Sequence, residues 1–166
     1  MSERAAPAWL RVDTPQPGYA DRVVADVTRV VAVPSGRALL EQVRDSGHGV
    51  LIEKPALVGA PNAHVRPQSL RAATASGVPT GEIDAAGRPV LGTGEGSDSI
   101  IAYEPLDWPS PLDPDSPSSD VMLFALLGQA LAQLRGTAEP LRYQMGEMAP
   151  GDAAEIERYQ RERGDG

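Results

Sequence analysis

Val121-Met122-Leu123-Phe124-Ala125-Leu126-Leu127-Gly128-Gln129-Ala130-Leu131-Ala132-Gln133-Leu134-Arg135-Gly136 is the stretch on which the reading of this chain turns. It is almost wholly apolar. Ser118, Ser119 and Asp120 stand before it as capping residues, and Arg135-Gly136 closes it, so a helix is predicted over 119–134. Upstream, 107–120 holds four prolines with several Ser and Asp, which predicts a long irregular loop. Before the loop, Ser99 to Tyr103 and His48 to Glu53 are short β-rich runs and predict strands. A further strand is predicted around Asn62-Ala63-His64-Val65. Thr80–Ile83 and Pro89–Leu91 flank Asp84-Ala85-Ala86-Gly87 as a hairpin. Val23, Val24, Val27, Val30 and Val31 recur with a helical period and predict a helix from Tyr19 to Val33. Ser35 then caps a second helix, 36–45, ended by Ser46-Gly47. Asp152 caps a last, highly charged helix, Ala153 to Arg163, whose i,i+4 pairs such as Glu157 and Arg161 suit a solvated face.

Helices and short strands in separate runs predict an α+β class. The expected architecture is a short, mostly antiparallel sheet packed on the central helix 119–134, with helices at both ends. Residues 1–18 carry three prolines and little periodicity, so they are expected to form a flexible lead, with Trp9 as a possible latch. A single domain is expected over 19–166. The 166 residues suffice for one core, but aromatic residues are 4% and Phe occurs once, so aliphatic packing must dominate. The chain has 17 Gly and 16 Pro, which favours long connections.

The net charge of −8 and a pI near 4.7 disfavour phosphate backbones, and Lys54 is the only lysine, so nucleic acid is not an expected partner. The absence of cysteine removes disulfides, thiolate nucleophiles and Cys–metal sites. Residues 1–17 lack the pattern of a secretory signal, and 121–127 is too short to span a bilayer. No membrane association and a cytoplasmic location are therefore expected. Abundant Ala, Arg, Gly and Pro is similar to the composition of proteins from high-GC bacteria such as actinobacteria.

Residues four apart share a helix face. In an H-E-x-x-H helix the two His bind one zinc and the Glu activates its water. Ala125, Leu126 and Gln129 stand in those three positions. Ala has no donor, Leu moves no proton, and Gln is a weak neutral ligand. No metal and no cofactor are expected.

The surrounding segments carry a resemblance to a family. Pro34-Ser35-Gly36-Arg37-Ala38-Leu39-Leu40 precedes Gly49-Val50-Leu51-Ile52. Gly94-Glu95-Gly96-Ser97-Asp98-Ser99-Ile100-Ile101 leads into a strand, with Tyr103 and Pro105 beyond. Leu127, Gly128, Ala130 and Gly136 follow at set places in the helix. Glu157 and Arg161 stand near the end. In order and spacing these resemble the NleD-like zinc metallopeptidases, best known as type III secretion effectors, over residues 30–164. The chain departs from that family at the catalytic centre itself, and the Asn of the family's last motif is missing. The resemblance implies a zincin-like fold without peptidase chemistry.

Other motifs read as ordinary structure. Asp113, Asp115 and Asp120 lack the Gly and Glu of a calcium loop. Residues 92–96 lack the Lys-Ser/Thr and helix of a phosphate loop. His48 opens a strand after a turn, where polar residues are common.

Two functions follow. In the first, a metal-free pseudo-metallopeptidase engages a peptide or peptide-like ligand in the former cleft, through Ala125, Leu126, Gln129, Ile101, Tyr103 and Trp108. A metallopeptidase cleft takes an extended chain beside an edge strand, and that needs no metal. In the second, the scaffold is a repurposed cyclase, isomerase or lyase in an actinobacterial natural-product or modified-peptide pathway. Gln129, His64 and Tyr103 would then orient the substrate and move protons. The expected partners are a peptide or small-molecule ligand and a partner biosynthetic enzyme.

Overall fold

The computed structural model describes residues 8–13, 16–56, 63–141 and 152–164. Its elements, in order, are strand β1 (Leu10–Val12), helices α1 (Pro17–Val31) and α2 (Pro34–Asp45), strands β2 (Val50–Glu53) and β3 (His64–Pro67), and short helix α3 (Leu70–Ala73). Strands β4 (Pro79–Ile83), β5 (Pro89–Leu91) and β6 (Ser99–Ala102) come next. A 3-10 turn (Pro105–Asp107), helix α4 (Ser119–Arg135) and helix α5 (Asp152–Glu162) complete the fold.

Four strands form one sheet in the order β1-β2-β6-β3. β1 pairs with β2 and β2 with β6 in parallel, while β3 runs antiparallel to β6. This corrects the expectation of a mostly antiparallel sheet. Helices α1 and α2 form the crossover between β1 and β2, and a crossover of that kind returns the chain in parallel. The fold is mixed α/β. β1 also replaces part of the expected mobile lead. Its three residues, Leu10-Arg11-Val12, alternate but are too few to mark a strand, and pairing with Val50, Leu51 and Ile52 defines them. Trp9 packs against the core beside β1.

One face of the sheet is apolar. Leu10, Val50 and Ile52 alternate with exposed or half-buried neighbours, and together with Ile101 they lie buried against the helices. Helix α4 lies at the centre, in contact with α1, α2, α5, β3 and β6. It buries Leu123, Leu127 and Leu134 almost completely, each worth about 1.5–3 kcal/mol. Its ends stand where the residues place them, with Ser118 at the N-cap and Gly136 in the left-handed conformation at φ 68°. Ser118 gives its hydroxyl to Asp120 at 2.8 Å rather than capping a backbone N–H. For α2 the cap moves: Val33 is the N-cap and Pro34 opens the helix. The Ser35 N–H donates instead to Glu162 of α5 at 2.7 Å.

The segment 94–99 ties the parts together. Gly94 (φ 71°) and Gly96 (φ 90°) lie against the end of α4. A Cβ at Gly96 would strike Leu134 O, and one at Gly136 would strike the Gly94 backbone. Backbone touches backbone here, which only glycine permits. Asp98 then accepts the Gly49 N–H at 2.8 Å, and the Ser99 hydroxyl donates to Gln133 Oε1 at 2.6 Å. The β4–β5 hairpin forms as expected, with Gly87 N–H donating to Asp84 O at 2.9 Å. Among the described residues no helix is long and apolar enough to cross a membrane.

Candidate functional site

The exposed side of α4 is where Ala125 and Gln129 stand, one turn apart. Both line a cavity of about 400 Å³ between α2, α4 and α5. Leu39, Phe124, Leu131 and Ile156 form its apolar walls, and Gln42, Glu155 and Arg158 stand at its polar margin. Phe124 stacks on Tyr159 of α5 with ring centroids 4.4 Å apart, which fixes that wall. Gln129 also lines a second cavity of about 210 Å³ on the other side, between α4 and the edge strand β3. Val65, Pro67, Leu70, Ala73 and Gln133 are among its lining residues.

The two glutamines of this second cleft differ. Gln133 already accepts from Ser99. Gln129 is half-buried, and its amide makes no hydrogen bond among the described residues.

The β3 edge has a defined polarity. Gln68 N–H donates to Asp98 O at 2.9 Å, one step beyond the Pro67–Ser99 pair. Antiparallel ladders alternate, so Arg66 and His64 form the pairs bonded to β6. The backbone N–H and C=O of Val65 therefore point outward from the sheet, as does the C=O of Pro67. Proline is tolerated at 67 because its missing N–H belongs to the outer edge. β3 has no strand partner on that edge among the described residues.

Several expected site residues lie elsewhere. Leu126 is 3% exposed and belongs to the core, because one helical step turns it about 100° away from Ala125. Ile101 is fully buried against the helices. Tyr103 is fully buried too, and its hydroxyl donates to Asp26 at 3.0 Å while its carbonyl accepts from Tyr19 at 2.8 Å. Burial and the facing carboxylate of Asp26 push the Tyr103 hydroxyl far above its ordinary pKa. It is a structural hydroxyl with no path to a ligand. His64 is exposed, and strand alternation sets it on the face opposite Val65. It lines neither cavity that Gln129 touches. Trp108 packs against the core outside both cavities, with Nε1 buried and unpaired among the described residues. Of the expected constellation, only Ala125 and Gln129 come together.

The residues do not fit a zinc ion. Ala125 has no donor, Leu126 faces the core, and the Gln129 amide stands alone. Among the described residues no group of three or more His, Cys, Asp or Glu is placed to hold a metal. Sequence reasoning does not reach the Gly128 opening, Gln133 or the outward backbone of Val65 as features of the site. A glycine in mid-helix was the one available signal, whereas the others depend on tertiary placement.

The polar groups beneath α4 are structural. Asp26 is fully buried and also receives Ser119 at 2.9 Å and Arg29 at 2.8 Å. Asp120 receives the Tyr159 hydroxyl at 2.8 Å and Arg163 at 3.0 Å. Arg22 grips Glu104 with two nitrogens, at 2.6 and 3.0 Å. His48 Nδ1 lies 3.3 Å from Asp98 at the start of β2.

Comparison with known proteins finds no family model that matches this chain and no curated protein that matches it.

Proposed function

We propose that the chain is a degenerate member of the NleD-like metallopeptidase scaffold that binds an extended peptide without a metal. The ligand pairs its backbone with the outer edge of β3 and lays a side chain into the β3–α4 cleft, where Gln129 offers its amide. The observation that carries this reading is the outward N–H and C=O of Val65 beside a cleft that holds an unpaired amide. An unpartnered strand edge is a template for β-augmentation, in which backbone bonds supply affinity and side-chain pockets supply selectivity.

Two further observations support the scaffold. The motif segments 94–99 and Gly136, far apart in sequence, meet in space. The helix with the altered metal positions lies beside an antiparallel edge strand. The binding reading is preferred to the enzyme reading because Tyr103 and His64 do not share a cavity with Gln129.

The test is a peptide library selected on the purified protein, followed by NMR of the complex. Selected peptides are expected to show backbone contacts to the Val65 amide. Val65→Pro removes the outward N–H and leaves the β6 ladder intact, so it is expected to weaken binding at least about tenfold. Peptides that map away from β3, or that bind Val65→Pro as well as the parent, would refute the proposal.

A further inference from the structure

The geometry points to a second binding site, in the α2–α4–α5 cavity, for a compact uncharged molecule with an apolar body and one amide or carbonyl group. The inference starts from Gly128. A glycine inside a helix costs about 1 kcal/mol relative to alanine. Three structural reasons usually account for one: a positive φ, a crowded neighbour, or a helix end. Gly128 has none of them. Its φ is not positive, a Cβ there would meet nothing within 4 Å, and it lies seven residues before the end of α4 at Arg135. What the missing side chain provides is space, and that space is the cavity.

The volume and lining state the ligand's chemistry. About 400 Å³ falls in the range of small-molecule pockets, which are mostly apolar with a few polar groups. Its inner walls, Leu39, Phe124, Leu131 and Ile156, are aliphatic and aromatic, and Ser35, whose hydroxyl is engaged with Glu162, stands with the polar residues at the margin. Of the two amides, Gln42 is committed, donating to Ala38 O at 3.3 Å and accepting from Arg135 at 3.0 Å. Gln129 is not, so one neutral hydrogen bond is on offer. Glu155 and Arg158 approach each other to 3.7 Å at the margin and cancel in charge. A net anion or cation therefore gains nothing there, and desolvating it against Phe124 and Leu131 is unfavourable.

This site shares the Gln129 side chain with the β3–α4 cleft but no other lining residue, so its test is read first at Gly128, which lines this cavity and not the other. N-acetyl-L-leucinamide is titrated into the labelled protein, with L-leucinamide as a cationic and N-acetyl-L-leucine as an anionic comparator. The Gly128 backbone amide and the Gln129 side-chain amide report by NMR, while Val65 serves as the reference for the other cleft. The uncharged probe is expected to shift Gly128 and Gln129 saturably, with millimolar affinity, and to leave Val65 unchanged. Gly128→Leu fills the cavity and is expected to reduce affinity at least about tenfold. Ala125→Val, a smaller intrusion, is expected to reduce it less. Gln129→Leu keeps the volume and removes the hydrogen bond, and is expected to weaken binding about three- to tenfold. No saturable shift at Gly128, equal binding of the charged probes, or unchanged affinity in folded Gly128→Leu and Ala125→Val would each overturn the inference.

Discussion

The hydroxyl of Tyr103 donates to the carboxylate of Asp26 at 3.0 Å, with both residues fully buried and 77 positions apart in the chain. This bond fastens the end of β6 to the middle of α1. It also decides what Tyr103 does. A hydroxyl already spent on a buried carboxylate stabilises the fold, and it is not offered to a ligand.

Tyr103→Phe is accordingly expected to lower the unfolding free energy by about 1–3 kcal/mol, since Asp26 keeps Ser119 and Arg29 but loses a buried donor. Binding in the two cavities beside Gln129 is expected to be unchanged. Denaturant unfolding and the probe titration check both halves. A ligand-binding loss without a stability loss would return Tyr103 to the site.

Asp26 gives a pH dependence of defined sign. Burial raises its pKa above 3.8, although Ser119, Tyr103 and Arg29 oppose the shift. The folded chain therefore holds this proton more tightly than the unfolded chain. Its contribution to stability is fully present below pH 3.8 and is lost as pH rises through the folded value. Asp26→Asn removes the titration. The stability difference between the two proteins is expected to move in favour of the variant as pH rises from the acid range. A difference that stays flat from acid to neutral pH would contradict the raised pKa.

How much of this could be read from residues alone depended on the range of the interaction. The limits of α4 and the hairpin at Asp84–Gly87 follow from neighbours within a few positions, and they stand as expected. β1 is not legible locally, because the alternation of Leu10-Arg11-Val12 is only three residues long and the strand exists through its pairing with Val50 and Ile52. The direction of the sheet is not legible locally either, since it is set by where the crossovers return. Within the candidate site, Ala125 and Gln129, four apart on one helix face, line the same cavity. Adjacency misled for Leu126, because the next residue on a helix faces another way. Ile101 and Tyr103 share the inward face of their run, which strand alternation implies once the helices are known to lie on that side.

Glu104 supplies the opposite sign. Burial raises its pKa, but the Arg22 guanidinium, the Leu106 N–H and Lys54 outweigh burial and hold it below 4.5. Its contribution to stability is present above 4.5 and is lost as pH falls through the depressed value. Arg22→Met is expected to cost about 1–2 kcal/mol at neutral pH, between the values for exposed and buried pairs, because Arg22 is 28% exposed and Lys54 remains. The cost is expected to shrink towards acid pH. Chemical unfolding across that range checks it, and a loss independent of pH would assign Arg22 a packing role instead.

Two glycines at α4 should respond to alanine in opposite directions. Gly136 sits at φ 68° with its would-be Cβ against the Gly94 backbone, so Gly136→Ala meets both a left-handed penalty and a clash with atoms that cannot rotate away. It is expected to cost more than about 2 kcal/mol. Gly128→Ala meets nothing and gains helix propensity, so it is expected to stabilise by about 0.5–1 kcal/mol. Thermal and denaturant unfolding of the pair separates the two causes of a glycine. If Gly128→Ala destabilised the protein, the space beside it would have to be needed by the fold, and the case for a retained ligand chamber would fail. If it stabilised the protein while weakening the uncharged probe, the glycine would be traced to binding, because the fold alone is better served by alanine.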